Sequence, residues 1–163
     1  MEDAFNWAET VGRNKMKKAK MKVVITSMYA NPIHPGHIEC LEKARALGDY
    51  LIVIVNNDEQ QKLKNRGTVF QDQVFRKRVV GALKSVDETF LSIDTDGAVC
   101  ESIRAVVERC SPHSELIFAK GGDRNVGNIP EVEICKELGV EIVDGLGKKI
   151  DNSSKYRLAA ILR

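Results

Sequence analysis

Short runs of apolar residues alternate along the chain with longer segments in which apolar residues recur every three or four positions. The runs predict β-strands, and the spaced segments predict helices with one buried face. The predicted strands cover residues 22–27, 50–56, 88–93, 115–119 and 140–143. The predicted helices cover residues 35–47, 72–84, 98–110, 130–138 and 152–162. Because each strand is followed by a helix, the pattern predicts an α/β fold of right-handed crossovers on a five-stranded parallel sheet.

Individual segments indicate which surfaces the predicted elements bury. Residues 50–56 read YLIVIVN, and a nearly unbroken apolar run is typical of a parallel strand that is covered on both faces. Helices above and below the sheet would make a Rossmann-like three-layer sandwich. Apolar residues at helical spacing form the predicted buried faces of the first two helices. They are Ile38, Leu41, Ala44 and Leu47 in the first helix, and Val74, Phe75, Val79 and Leu83 in the second.

Composition and charge narrow the class of protein. The 163 residues fit one domain, which we place at residues 21–163 after an N-terminal extension at 1–20. The 25 basic and 23 acidic residues nearly balance, so no nucleic-acid partner is expected. The longest apolar run, Tyr50 to Val55, is shorter than the roughly 18 residues of a membrane span. Four cysteines without CxxC spacing predict reduced thiols and a cytoplasmic location.

Polar and glycine-containing segments follow three of the predicted strands. They cover residues 27–37, 120–124 and 144–154. The carboxyl ends of parallel strands meet at one edge of a sheet, and ligands bind there at the point where the strand order reverses. We therefore expect these three segments to form one site.

The first of these segments carries the most specific chemistry. His34 and His37 lie three positions apart at the predicted start of the first helix, and Gly36 between them leaves room for a close approach. The exposed N–H groups of a helix N-terminus attract anions, and imidazoles donate hydrogen bonds to phosphate oxygens. Zinc binding is the alternative, but no Cys, Asp or Glu stands at a suitable spacing. The pattern therefore predicts a phosphate site and no metal ligands from the protein.

The sequence HPGH at residues 34–37 resembles the HxGH motif of the nucleotidyltransferases in the cytidylyltransferase-like family. Five further segments resemble that family in the same order. They are residues 47–53 (LGDYLIV), 56–59 (NNDE), Arg76 with 86–88 (VDE), 120–123 (KGGD) and 152–157 (NSSKYR). The resemblance is nearest to heptose-phosphate adenylyltransferase domains and glycerol-3-phosphate cytidylyltransferases.

The resemblance implies transfer of a nucleoside monophosphate from CTP or ATP to a phosphorylated sugar or polyol, with release of pyrophosphate. It implies catalytic roles for His34, His37 and Arg157. It implies nucleotide binding by Met28, Tyr29, Gly36, Lys120, Gly121, Asp123, Ser153 and Ser154. Arg45 and Arg76 are candidates for the acceptor phosphate or for a supporting ion pair. Mg²⁺ is expected to be bound mainly through the nucleoside triphosphate, and a homodimer is expected.

Three departures from the family pattern favour an alternative. Met28 replaces a usual glycine, Asn31 replaces a usual carboxylate, and Asp151 places a negative charge near the expected triphosphate. The alternative is a degenerate, non-catalytic nucleotide-binding module. A flavodoxin-like or receiver-like domain is a third interpretation, but a receiver needs an acidic cluster after the first strand, where Ser27 to Tyr29 stand.

Overall fold

The computed structural model describes residues 20–121, 130–146 and 153–161. Its strands are β1 (Lys22–Met28), β2 (Tyr50–Val55), β3 (Glu88–Leu91), β4 (Glu115–Ala119) and β5 (Glu141–Val143). Its helices are α1 (Pro35–Arg45), α2 (Asp58–Lys64), α3 (Gln73–Gly81), α4 (Cys100–Arg109), α5 (Val132–Leu138) and α6 (Ser153–Ile161). Each predicted strand is present, and its ends lie within two residues of those expected.

The strands form one parallel sheet in the order β3-β2-β1-β4-β5. β1 is central, since Thr26 lies opposite Val53 of β2 and Val24 lies opposite Ile117 of β4. The middle of the sheet is covered on both faces. Its residues without exposed surface include Val24, Ile25, Leu51, Val53 and Ile54. The predicted Rossmann-like α/β sandwich on a five-stranded parallel sheet is confirmed.

Two hydrophobic clusters lie on opposite faces of the sheet. One joins Leu41 and Ala44 of α1 and Val80 of α3 to the sheet. The other joins Ile103 of α4 and Ile134 of α5 to the opposite face. Successive side chains of a strand point to opposite faces, so neighbouring residues of β1 belong to different clusters. The result is the expected arrangement of three layers.

The strand order places a switch point beside β1. The chain passes from β1 to β2 and β3 on one side, and then crosses to the other side to form β4 and β5. The connections after β1 and β4 therefore leave the sheet in opposite directions and open a crevice at its carboxyl edge. The histidine segment follows β1 and Lys120 follows β4, so both are brought to this crevice.

Helix α2 is an addition to the predicted elements. Its sequence DEQQKLK has a single apolar residue, Leu63, which is 63% exposed. The buried residues are Gln60 and Gln61 instead. Gln60 Nε2 donates to the carbonyl oxygens of Asp96 at 2.8 Å and Ala98 at 2.6 Å. A helix that buries amides lacks the apolar periodicity from which helices are predicted.

The buried face of α3 also differs from the prediction. Val74 and Phe75 are 69% and 49% exposed, so their assignment to the core is wrong. Val79 is partly buried, whereas Arg76 and Val80 are fully buried. The helix has this rotation because a guanidinium, and not an apolar side chain, occupies the position next to the strand ends.

Arg76 is the largest fully buried side chain among the described residues. Its Nη1 donates to the carbonyl oxygens of Tyr29 at 2.8 Å and Asn56 at 2.7 Å, which follow β1 and β2. Its Nε donates to the Gln71 carbonyl at 2.9 Å, and its Nη2 pairs with the Asp58 carboxylate at 2.8 Å. One side chain therefore fastens the carboxyl ends of two strands to the starts of α2 and α3.

Replacement of Arg76 by methionine is expected to destabilise the fold strongly. The change leaves the carbonyl groups of Tyr29 and Asn56 without their donor, and each unsatisfied buried group costs about 1–3 kcal/mol. We expect a loss of about 3 kcal/mol or more in the free energy of unfolding, measured by urea denaturation. Arg78→Met, on the exposed side of the same helix, is the matched control and should cost less than about 0.5 kcal/mol. Equal losses in the two variants would contradict this role of Arg76.

Candidate active site

Two histidines begin α1 in direct contact. His34 is the N-cap and is 8% exposed, and its carbonyl oxygen accepts from the N–H groups of His37 at 2.9 Å and Ile38 at 3.3 Å. The two imidazole centroids are 3.8 Å apart, with ring planes inclined by 32°. His37 Nδ1 accepts from the His34 backbone N–H at 3.3 Å. A neutral His37 ring therefore carries its proton on Nε2, which makes Nε2 a donor suited to an anion.

The start of the helix adds to this donor set. Pro35 occupies the first turn, where proline sacrifices no helical hydrogen bond, and no acidic residue stands in that turn. The positive end of the helix dipole is therefore not neutralised by its own first turn. Gly36 lies between the two histidines in sequence. Because glycine has no side chain, this is the position at which we expect a ligand to approach the backbone closely.

Helix α6 lies against the loop that precedes the histidines. Ser153 Oγ donates to the Pro32 carbonyl at 2.9 Å, and Arg157 Nη1 donates to the Asn31 carbonyl at 2.6 Å. Arg157 Nη2 also donates to Ser154 Oγ at 2.8 Å. Residues 153 and 157 are four positions apart and share a helix face. The structure thus brings the predicted serines and arginine of α6 to the predicted histidines.

Tyr156 is a contact of the histidine pair that sequence reasoning missed. Its ring stacks on His34 with centroids 6.0 Å apart and planes inclined by 21°. Lys155 Nζ lies 5.3 Å from the centroid of the same tyrosine ring. The available signal was helical spacing, because residue 156 follows Ser153 by three positions and so lies on the same side of α6.

Lys120 lies at the switch point between β1 and β4. Its ammonium donates to Ser27 Oγ at 3.0 Å and lies 3.7 Å from Glu131 Oε1. Lys120 is 8% exposed and Glu131 is 1% exposed. A buried carboxylate therefore offsets part of the charge of a buried ammonium, and the ammonium is held at the end of β1.

Gly121 follows Lys120 and packs tightly against α1. A Cβ placed at residue 121 would lie 2.5 Å from Cys40 Sγ, which is closer than a Cβ approaches any neighbour. A larger residue at position 121 therefore requires the Cys40 side chain or the backbone to move. Asp123, the last residue of the KGGD motif, lies outside the described residues, as does Asp151.

Met28 and Tyr29 differ in what they offer to the site. The Met28 side chain is buried in the hydrophobic cluster beneath α1. The side chain belongs to the core, and the expected role of Met28 in nucleotide binding stays a prediction that would fall to its backbone. Tyr29 is partly buried, and Lys64 Nζ lies 4.0 Å from the centroid of its ring.

Arg45 and Arg76 are not placed to bind an acceptor phosphate at the histidine loop. Arg45 donates to the Gly48 carbonyl at 2.5 Å and pairs with Asp87 at 3.0 Å. Gly48 and Asp87 precede β2 and β3, so about three turns of α1 carry Arg45 to the amino edge of the sheet. The Arg76 guanidinium is bonded to protein oxygens. Both arginines take the supporting ion-pair role that was the alternative.

The four cysteines are free thiols. Burial raises the pKa of Cys40 and Cys110. Burial, assisted by the charge of Glu131, raises the pKa of Cys100 and Cys135 to about 11. All four are therefore protonated near neutral pH and are poor nucleophiles.

The groups that meet at the histidine loop are imidazole, hydroxyl and guanidinium donors, which suit phosphate oxygens. Within the described ranges, no three His, Cys, Asp or Glu side chains form a group that could hold a metal ion. In the same part of the chain, no helix combines the length and the hydropathy of a membrane span.

The parallel sheet and the loop of imidazole, hydroxyl and guanidinium donors define an α/β domain whose candidate site suits phosphate. A family model described as cytidylyltransferase-like matches residues 29–138, which is more than half of the chain. The chain therefore belongs to the cytidylyltransferase-like family. The family predicted from the HPGH and KGGD segments is confirmed.

The chain matches only part of the length of two relatives. An FAD synthase from Ferroglobus placidus is 45% identical over 76 residues, which are 47% of this chain and 49% of that protein. The bifunctional protein HldE of Pseudomonas paraeruginosa is 33% identical over 145 residues, which are 87% of this chain and 28% of that protein. The chain thus spans about half of the FAD synthase and about a quarter of HldE.

A solved structure has the same fold. It is a lipopolysaccharide core biosynthesis protein from Thermoplasma volcanium, with a TM-score of 0.58 and 25% sequence identity. The match covers 76% of this chain and 95% of that one.

The contact between Gly121 and Cys40 can be tested by a compensating pair of substitutions. Gly121→Ala should lower stability by about 1–3 kcal/mol, because its Cβ overlaps the Cys40 sulfur. Thermal unfolding should show most of this loss disappearing when Cys40→Ala is present, relative to Cys40→Ala alone. Gly97→Ala is the control, because a Cβ there meets nothing within 4 Å. An undiminished loss in the Cys40→Ala background would contradict the packing described.

Proposed function

We propose that this domain transfers a nucleoside monophosphate from CTP or ATP to a phosphorylated sugar or polyol and releases pyrophosphate. The observation that carries the proposal is the contact of α6 with the histidine loop. It gathers two imidazoles, a serine hydroxyl and a guanidinium around one helix N-terminus. This donor set suits a triphosphate whose negative charge is redistributed during the reaction.

The reaction requires no covalent intermediate on the protein. A phosphate oxygen of the acceptor attacks the α-phosphorus in line and forms a new P–O bond. The bond from the α-phosphorus to its bridging oxygen breaks, and pyrophosphate leaves with that electron pair. The protein then has to align the two reactants and stabilise negative charge on the α-phosphate oxygens. His34 and His37 are the donors that we assign to these oxygens.

Helix α6 would serve the leaving group. Arg157 presents its donors in a planar fork that matches phosphate geometry, and Ser154 is bonded to it. Ser153 and Ser154 stand at the start of α6, where backbone N–H groups also bind phosphate. Lys120 would add a positive charge at the switch point.

Mg²⁺ fits this arrangement as a companion of the nucleotide. It prefers phosphate and water oxygens and, when bound, would neutralise charge on the triphosphate. No group of three metal-ligating side chains is found in the described ranges, so the triphosphate and water would supply most of the ligands of the ion.

The relatives' names support a phosphorylated, hydroxyl-rich acceptor. FAD is AMP joined through phosphate to a polyol chain, so the name FAD synthase is consistent with adenylyl transfer to a phosphate. The Thermoplasma volcanium protein is named for biosynthesis of the lipopolysaccharide core, which contains sugars. The KGGD segment resembles the heptose-phosphate type, and we therefore favour a heptose phosphate over glycerol 3-phosphate. A cytoplasmic homodimer belongs to the same proposal.

Pyrophosphate release with Mg²⁺ tests the proposed reaction. CTP and ATP are crossed with heptose 1-phosphate, glycerol 3-phosphate and FMN, and we expect release with one pair. His37→Ala should lower kcat by about 10²- to 10³-fold, because a preorganised donor is lost. His113→Ala, in an exposed connection, is the matched control and should leave the rate unchanged.

Two outcomes would count against the proposal. If no pair releases pyrophosphate while calorimetry still detects CTP or ATP binding, the degenerate nucleotide-binding module becomes the better interpretation. If the double variant His34→Ala/His37→Ala keeps full activity, the reaction takes place without the histidine loop.

A further inference from the structure

We propose that Tyr156 is a positioning residue that fixes the His34 imidazole for the transfer step, an inference that rests on the proposed function. The two ring centroids are 6.0 Å apart with planes inclined by 21°, a separation at which stacked aromatic rings attract each other. The His37 ring lies 3.8 Å from the same imidazole. His34 is therefore packed against two rings that come from different helices.

The backbone of His34 cannot fix its ring. The bonds that His34 makes at the start of α1 use its carbonyl oxygen, and its backbone N–H donates to His37. These bonds hold the main chain, and rotation of the imidazole about its two side-chain torsions is limited by what packs against the ring. A donor contributes most to catalysis when its direction is set before the reaction begins. A stacked ring restricts that rotation, and Tyr156 supplies one.

The position of Tyr156 is itself set by its helix. Ser153 bonds to Pro32 and Arg157 bonds to Asn31, so α6 is fastened to the histidine loop on both sides of residue 156. Tyr156 is 37% exposed, so part of the ring remains at the surface while it stacks on His34. The ring, and not the hydroxyl, is the part that this role requires. Helix α6 then has two roles in the site. It supplies donors to phosphate, and through Tyr156 it supports His34 at the start of α1.

Two substitutions separate the ring from the hydroxyl. Tyr156→Phe keeps the ring and should retain kcat within about twofold, whereas Tyr156→Leu removes it and should lower kcat about tenfold. The KM for the nucleotide should change less than about threefold, because the lost interaction acts mainly in the transition state. Leu158→Ala, at a position of the same helix that is 60% exposed, is the matched control. A tenfold loss in Tyr156→Phe would overturn the assignment to the ring.

A double-mutant cycle decides whether Tyr156 acts through His34. In a His34→Ala background, Tyr156→Leu should lower kcat by less than about twofold, because the imidazole that it positions is absent. A further tenfold loss in that background would overturn the proposal and assign Tyr156 to substrate contact or to the folding of α6. Melting temperatures of all variants, measured in parallel, identify any that unfold.

A measurement without substrate distinguishes this proposal from the proposed function. The Cε1–H proton of His34, assigned by its loss in His34→Ala, senses the ring current of a stacked aromatic. Tyr156→Leu should shift this NMR signal, Tyr156→Phe should not, and the His113 signal should stay in place. An unshifted His34 signal in Tyr156→Leu would overturn the stack. If Tyr156→Leu shifts the His34 signal but the protein shows no turnover, the stack is supported and only the proposed function is contradicted.

Discussion

A single buried guanidinium fixes the point from which the histidine loop leaves the sheet. Arg76 bonds the carbonyl groups that follow β1 and β2 and pairs with the carboxylate at the start of α2. Carbonyl groups beyond the end of a strand have no partner in the sheet, and their burial is unfavourable unless a donor reaches them. Arg76 satisfies two of them with one nitrogen. The direction of the segment between Tyr29 and His34 therefore depends on a side chain from α3.

The donor groups of the candidate site are likewise held in place by hydrogen bonds to other parts of the protein. The Arg157 guanidinium is bonded to Asn31, the Lys120 ammonium to Ser27, and His37 Nδ1 to the backbone of His34. The two cationic groups donate to protein oxygens, and His37 Nδ1 accepts from the His34 backbone N–H, so each group has a hydrogen-bond partner that sets its position. A site whose donors are already oriented needs little reorganisation when charge develops in the reaction. The placement of these groups in three separate elements explains why the sheet, α1 and α6 must all be assembled before the site exists.

The success of sequence reasoning varied with what each element buries. Parallel strands bury apolar runs, so β1 to β5 were predicted, and the HPGH motif located the histidines at the start of α1. Helices α2 and α3 bury Gln60 and Arg76, for which hydropathy gives no signal, so α2 was missed and the wrong face of α3 was assigned. For Arg45 the sequence left open an acceptor phosphate or a supporting ion pair, and the structure shows an ion pair with Asp87. Tyr156 was missed because its stack on His34 joins residues that are distant in sequence.

Met28 and Asn31 are two of the departures from the family pattern that favour a degenerate module. Each has a structural role, and neither role displaces a donor group of the candidate site. Met28 packs in the core beneath α1, and Asn31 Oδ1 accepts from the Gln71 backbone N–H at 2.9 Å, a bond that a carboxylate would also make. Between them, Ala30 is buried with a φ of +48°, in the left-handed region that costs a residue with a side chain about 1–2 kcal/mol.

That strain persists because both neighbours of Ala30 are fastened. The Tyr29 carbonyl is held by Arg76 and the Asn31 carbonyl by Arg157. Backbone strain that is maintained by its surroundings is typical of functional loops. The conformation of residues 29–31 is therefore set by two arginines from different helices, Arg76 of α3 and Arg157 of α6, and it requires both helices to be in place.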